Sequence, residues 1–212
     1  MTTVRLICLS DTHGLHDKIV VPDGDILIHA GDLTSMGTPD QVRSFDRFLA
    51  KLPHRHKIVI AGNHDFIFER EPARARALLH GCTYLEDEAT EAAGLRFYGS
   101  PWQPWFFDWA FNLPRGEALA KKWAAIPAGT DVLVTHGPPL GHGDVNTGGE
   151  AVGCADLAAA VARVRPRVHV FGHIHEGYGV TEVHGTRMIN ASICDVGYRP
   201  VNAPVVVDLE VA

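Results

Sequence analysis

Val4-Arg5-Leu6-Ile7-Cys8-Leu9-Ser10-Asp11-Thr12-His13 joins a short, mostly apolar run to an abrupt polar ending. The pattern recurs four more times. Ile26–Ala30 leads into Gly31-Asp32, Ile58–Ala61 into Gly62-Asn63-His64-Asp65, Val132–Thr135 into His136-Gly137, and Val168–Phe171 into Gly172-His173-Ile174-His175. Continuous apolar segments of roughly four to eight residues, bounded by turn residues, are how strands buried on both faces read.

Helical patterns lie between several of these runs. Thr38-Pro39-Asp40-Gln41 offers an N-cap, a Pro at the first helical position and a capping-box Gln. Val42, Phe45, Leu49 and Leu52 follow at helical spacing until Pro53. Leu157, Val161 and Val164 form a second stripe, stopped before Pro166, while Arg115–Ala125 and Ala73–His80 are weaker candidates. After residue 176 the pieces are strand-like: Tyr178–Val183, Arg187–Ile189 and Val205–Leu209. Alternating strands and helices with a strand-rich end predict an α/β sandwich, with a mixed sheet or two packed sheets.

The 212 residues fit one domain spanning 1–212, since single cores stop growing only at roughly 250–300 residues. A hydrophobic share of 46% with 21% charged residues is enough to build a sizeable core. The formal net charge is −6, and no basic run exceeds Lys121-Lys122, which argues against binding an extended nucleic acid. A small phosphate ester is compatible with that charge if metal ions dominate the local field. Cys8, Cys82, Cys154 and Cys194 form no CxxC pair, so free thiols in a reducing cytoplasm are expected. The first residues lack a signal-peptide core, and no apolar run approaches the ~18 residues of a membrane span.

Each run delivers its polar cluster at its C-terminal end, where open α/β sheets hold ligands. Residues two apart in extended chain project to one side, so Asp11 with His13, and His173 with His175, can chelate as pairs. Together with Asp32, Asn63 and His136 they make seven O and N ligands, too many for one tetrahedral zinc and suited to two metals. Two cations about 3.5–4 Å apart can clamp the attacking and leaving oxygens of a phosphoryl group, with Asp32 as the bridging carboxylate. Any one cluster alone reads as a polar turn, a helix cap or a packed histidine; five together read as a metal site.

Other residues carry weaker expectations. His29 and His169 lie within strands and should be buried and neutral; His16, His54, His56, His80 and His184 read as surface residues. His142, in the Gly-rich loop Gly141-His142-Gly143-Asp144, is a candidate substrate contact. Trp102, Trp105, Phe106, Phe107, Trp109 and Phe111 crowd a Pro-punctuated segment, and Trp102 and Trp105 are candidates to stack on a nucleobase. The alternatives for that segment are core filler or a dimer patch.

In order, the motifs D-x-H, GD, GNH, a lone His and GHxH resemble those of the calcineurin-like metallophosphoesterase superfamily. Leu52-Pro53-His54, Lys57–Asn63, Gly99-Ser100-Pro101-Trp102, Thr135–Pro139, Val152-Gly153-Cys154 and His169–Gly179 look like its metallophosphoesterase-domain-containing branch. The resemblance implies a four-layer α/β/β/α sandwich. It assigns Asp11, His13, Asp32 and His175 to one divalent metal and Asp32, Asn63, His136 and His173 to a second. It also implies that a hydroxide between the metals attacks phosphorus while His64 assists the leaving oxygen. An O/N donor set without thiolate suits Mn²⁺, with Fe or Zn²⁺ as alternatives. Phosphodiesters or monoesters, with cyclic nucleotides foremost, are the implied substrates. A metal-loaded nucleotide sensor or scaffold is the second reading. A phosphoprotein phosphatase is the third, weakened because Gly31-Asp32 continues Leu33-Thr34-Ser35-Met36-Gly37 rather than GDxxDRG. Nothing in the sequence names a protein partner.

Overall fold

The computed structural model describes residues 2–211. Its strands in the first half are β1 (Thr2–Leu9), β2 (Ile26–Ala30), β3 (His56–Ile60), β4 (Thr83–Tyr84), β5 (Glu88–Ala92), β6 (Leu95–Ser100), β7 (Gln103–Pro104) and β8 (Asn112–Leu113). In the second half lie β9 (Val132–Thr135), β10 (Val168–Phe171), β11 (Gly179–Val183), β12 (Thr186–Asn190) and β13 (Val205–Val211). The helices are α1 (Pro39–Lys51), α2 (Phe66–Arg70), α3 (Pro72–Arg76), α4 (Glu117–Ala124) and α5 (Ala155–Val164).

Two mixed sheets stack face to face, in the orders β13-β1-β2-β3-β4 and β11-β12-β10-β9-β6-β5. Each has a parallel centre, and antiparallel pairs lie at the β13, β11 and β5 edges. The period of two along β1 explains the layering. Leu6 and Cys8 point into the inter-sheet core with Ile28, Ile58, Val132 and Val170. Ile7 and Leu9 point the other way, onto Val42, Phe45 and Leu49 of α1. On the far side Leu133 and Met188 meet Leu119 and Trp123 of α4 and Leu157 and Val161 of α5. Helix, sheet, sheet, helix is the four-layer sandwich.

Local sequence accounts for the helix ends. Thr38 accepts from the Gln41 N–H, and the Gln41 side chain answers the Thr38 backbone, closing the capping box of α1. Helix α5 stops at Arg165 in a left-handed turn before Pro166. The region 73–80 holds only the short α3, and α2 beside it has no periodicity to announce it. The hairpin β5–β6 is also unannounced, because Glu88-Ala89-Thr90-Glu91-Ala92 is a polar edge strand. Two expectations are corrected. His16 is buried against Phe45 and Phe48, and His54 is buried with Nε2 beside the Pro22 carbonyl, so neither is a surface residue.

Candidate metal centre

The C-terminal ends of β1, β2, β3, β9 and β10 meet at one edge of the sandwich. There Asp11, His13, Asp32 and His173 adopt positive φ of 54°, 45°, 54° and 69°, turning the chain sharply as each strand or its following turn ends. Asp and His tolerate this region better than most residues. The neighbouring glycines are required by close packing: a Cβ on Gly62 would overlap the Asp32 carboxylate and His136 ring, and one on Gly172 the Asp11 carboxylate.

The side chains so aimed converge. His175 Nε2 lies 3.3 Å from Asp11 Oδ1 and 3.3 Å from His13 Nε2. Asp32 Oδ2 is 3.7 Å from His13 Nε2, 3.5 Å from His136 Nε2 and 3.9 Å from His64 Nε2. Asn63 Oδ1 is 2.8 Å from His136 Nε2, and the His173 ring stands 5.1 Å from that of His136. Metal–ligand bonds of about 2.0–2.2 Å put neighbouring donor atoms roughly 3–3.6 Å apart, so these spacings fit coordination. The polar residues named from the motifs are therefore all brought together.

Hydrogen bonds behind the cluster orient it. His175 Nδ1–H donates to the Asp195 carbonyl and His136 Nδ1–H to that of Ala30, both at 2.9 Å, which turns each Nε2 toward the carboxylates. Asp11 accepts from the His173 N–H and from Ser192 Oγ, and Asp32 Oδ1 accepts from the His64 N–H. Buried Asp65 accepts from the Gly62, Leu33 and Thr34 N–H groups and the Thr34 hydroxyl, locking together the loops that carry Asp32 and His64.

The electrostatics call for a cation. Every partner of the His136 and His175 rings named above except His13 is an acceptor. Burial would push both imidazoles down, but Asp32 beside His136 and Asp11 beside His175 raise each to about 9. Burial alone would raise Asp11 and Asp32; the surrounding imidazoles hold both well below the usual carboxylate range. Without metal, protons must supply the charge that a divalent ion supplies with better geometry. The donor set therefore fits metal: Asp11, His13 and His175 form one group of converging ligand atoms, His13, Asp32 and His64 a second, and Asp11, Asp32 and His136 a third.

The other imidazoles at the site differ. Burial lowers His13 to about 4 and His173 to about 3, leaving neutral rings able to ligate. His64 donates Nδ1–H to the Ser35 carbonyl at 2.9 Å, so its Nε2 faces the cleft. Trp109 meets the His64 ring edge-on at 4.0 Å. Tyr198 stands 4.8 Å from His13 and 6.0 Å from His64. With Phe106, Glu176 and Val196 these two line a cleft of about 210 Å³ over the cluster.

Three sequence candidates lie elsewhere. Trp102 donates to Asp87, stacks under Lys122 at 4.1 Å and packs on Phe111, so it belongs to the protein's packing. His142 lines a separate cavity with Val161, Arg165 and Met188. Trp105 is outside the cleft but lines an adjoining groove. Conversely, sequence reasoning misses the places of Trp109, Tyr198 and Ser192 at the site. Ser192 has a signal, because the apolar run ending at Ile189 also delivers polar residues, Asn190 and Ser192.

Residues 4–177 match the family model described as calcineurin-like phosphoesterase. The chain is 49% identical to metallophosphoesterase domain-containing protein 1 of Homo sapiens, over 97% of this chain and 71% of that protein. It is 44% identical to a UPF0046 protein of Caenorhabditis elegans, over 98% of this chain and 60% of that one. A solved structure, TT1561 of Thermus thermophilus, shares the fold with a TM-score of 0.61 at 15% identity, covering 89% of each chain. With its motifs gathered at one end of the sandwich and most of its length under the family model, the chain belongs to the calcineurin-like phosphoesterases and is a metal-dependent phosphoester hydrolase.

Proposed function

We propose that two divalent ions are held here, one by Asp11, His13, Asp32 and His175, the other by Asp32, Asn63, His136 and His173. Asp32 Oδ2 carries this reading: at 3.7 Å from His13 Nε2 and 3.5 Å from His136 Nε2, it reaches both nitrogen sets at once. When bound, such a pair lowers the pKa of water towards ~7 and offsets charge on the phosphoryl oxygens. Mn²⁺ is the proposed metal, with Fe or Zn²⁺ as substitutes, and the four free thiols accord with a reducing, cytoplasmic setting.

The chain's own residues do the rest. Asp11 and Asp32 keep their charge because imidazoles and donors surround them, so phosphate enters only a site already neutralised by cations. His64 takes the role of acid: Nδ1–H is fixed by Ser35, and Nε2 points into the cleft where a departing oxygen can receive a proton. Trp109 and Tyr198 flank that imidazole. Phosphodiesters and monoesters are the proposed substrates, with cyclic nucleotides foremost.

The experiment uses metal-stripped protein with Mn²⁺ restored. Bis-p-nitrophenyl phosphate, p-nitrophenyl phosphate, a cyclic-nucleotide panel and a phosphopeptide are compared for wild type, Asn63→Ala and His64→Ala. Metal-dependent turnover of the diesters that collapses in both variants is the expected result. Two bound metals and nucleotide binding without turnover would instead make the protein a sensor or scaffold.

A further inference from the structure

A second cavity opens beside the cleft and shares three of its walls, Phe106, His173 and Glu176. At about 360 Å³ it is larger than the cleft and within the range of about 300–1,000 Å³ typical of small-molecule sites. Trp105 and Phe106 form one side; Pro138, Thr147 and Val152 form the other. Trp105 is 63% exposed and Phe106 43%, so both leave ring surface accessible. The far wall is loop 145–151, held by the Val145–Ala151 bridge and by Thr147 N–H donating to Glu176.

The groove's charges are spoken for. Arg115 donates both terminal nitrogens to the Val152 and Gly153 carbonyls, and Glu176 accepts from Thr147. No other Lys or Arg lines it among the described residues, so the groove is poorly suited to a second phosphate and well suited to a flat, uncharged body. A monoester, or a cyclic diester whose two ester oxygens close on one sugar, has only one body and leaves one of the two cavities empty.

Building on the phosphoesterase reading above, we infer that the groove is a second substrate subsite that extends the activity beyond cyclic esters to an acyclic phosphodiester with two arms. A nucleoside or aryl arm lies against Trp105 and Phe106, and the other arm lies under His64 between Trp109 and Tyr198. Hydrolysis breaks the P–O bond to the His64-side arm. Water's oxygen bonds to phosphorus and releases one proton to solvent, the departing alcohol takes a proton from His64 Nε2, which solvent then restores, and the groove-side arm leaves as its phosphomonoester.

The test compares three esters on the Mn²⁺-loaded full chain: thymidine 5′-(p-nitrophenyl phosphate), methyl p-nitrophenyl phosphate and a 3′,5′-cyclic nucleotide. The thymidine diester should release p-nitrophenol and thymidine 5′-phosphate with kcat/KM about tenfold above the methyl ester, in line with base–aromatic stacking. Trp105→Ala should erase most of that margin through KM while changing the methyl and cyclic esters far less, and Trp105→Phe should restore it. No margin over the methyl ester, or an equal loss on all three esters, would overturn the subsite while leaving the phosphoesterase standing. Absence of metal-dependent turnover of every ester would overturn the phosphoesterase reading itself.

Discussion

The floor and the rim of the cleft come from different parts of the fold. The floor is Asp11, His13, Asp32, Asn63 and His136, each at most 5% exposed and each at or just beyond the end of a core strand. The rim is Phe106, Trp109, Val196 and Tyr198, carried on segments 101–111 and 195–202. Floor atoms are fixed by strand register and by backbone groups such as the Ala30 carbonyl, which holds His136. Rim positions are set by side-chain bonds local to their segments, for example the Asn112 amide donating to the Phe106 and Phe107 carbonyls and Arg199 pairing with Asp195. On the proposed reading, the floor serves any phosphate ester and the rim chooses among them.

That division is broken most severely at Asp32. Asp32→Ala removes the carboxylate proposed to bridge the two ions, so turnover of every ester should fall by at least about 10³-fold, with loss of bound metal. Metal analysis beside bis-p-nitrophenyl phosphate kinetics checks it; retained two-metal stoichiometry would end the bridging role. On the proposed reading, in which His64 transfers a proton and does not ligate, His64→Ala should lower kcat by roughly 10²–10⁴-fold with metal content unchanged. Loss of metal in that variant would move His64 into the ligand set.

Rim changes should be smaller and selective. Trp109→Ala and Tyr198→Phe are expected to alter KM several-fold, and unequally between a cyclic nucleotide and p-nitrophenyl phosphate. Steady-state kinetics on both esters measures this; identical effects on the two would make the rim structural.

The sequence is most informative about the floor for a physical reason. Strand ends must shed their apolar run abruptly, and phosphoryl chemistry demands O and N donors, so the two constraints coincide at Asp11, Asp32, Asn63, His136 and His173. Both sheets can be read from the same runs, except where β5 carries the polar pattern of an exposed edge. The rim has no such period. In segment 102–111 the aromatic cluster is visible, but whether Trp102 or Trp109 faces the metals depends on Asp87 and Lys122, which are distant in sequence. Tyr198 stands in a loop beyond the last motif, with nothing local to mark it. His16 and His54 are misread for the same reason, since α1 and the Pro22 carbonyl bury them from afar.

Beneath the floor, two further imidazoles sharpen the contrast. His169 Nε2 lies 2.8 Å from Thr135 Oγ, whose own hydrogen goes to the Gly137 carbonyl, so the ring donates from Nε2 and its buried Nδ1 has no partner. Protonation would add a donor with nothing to receive it, and burial lowers His169 to about 3; His29, held by Thr12, is the same. A native pKa below the unfolded value of about 6.5 means the unfolded state takes up the proton first. Stability is then lost as pH falls below about 6.5, by about 1.4 kcal/mol per unit per ring until about pH 3. In metal-free protein His136 and His175 behave oppositely. Raised to about 9, they stabilise fully below about 6.5 and lose that contribution as pH rises through about 9. Denaturant unfolding of metal-free wild type and His169→Gln at about pH 7 and about pH 4.5 separates the two kinds. The variant keeps a donor to Thr135 but cannot titrate, so its acid destabilisation should be smaller by roughly 2–3 kcal/mol. Equal losses in both proteins would mean that His169 is no more neutral than the floor, and that strand position alone does not divide ligand from core.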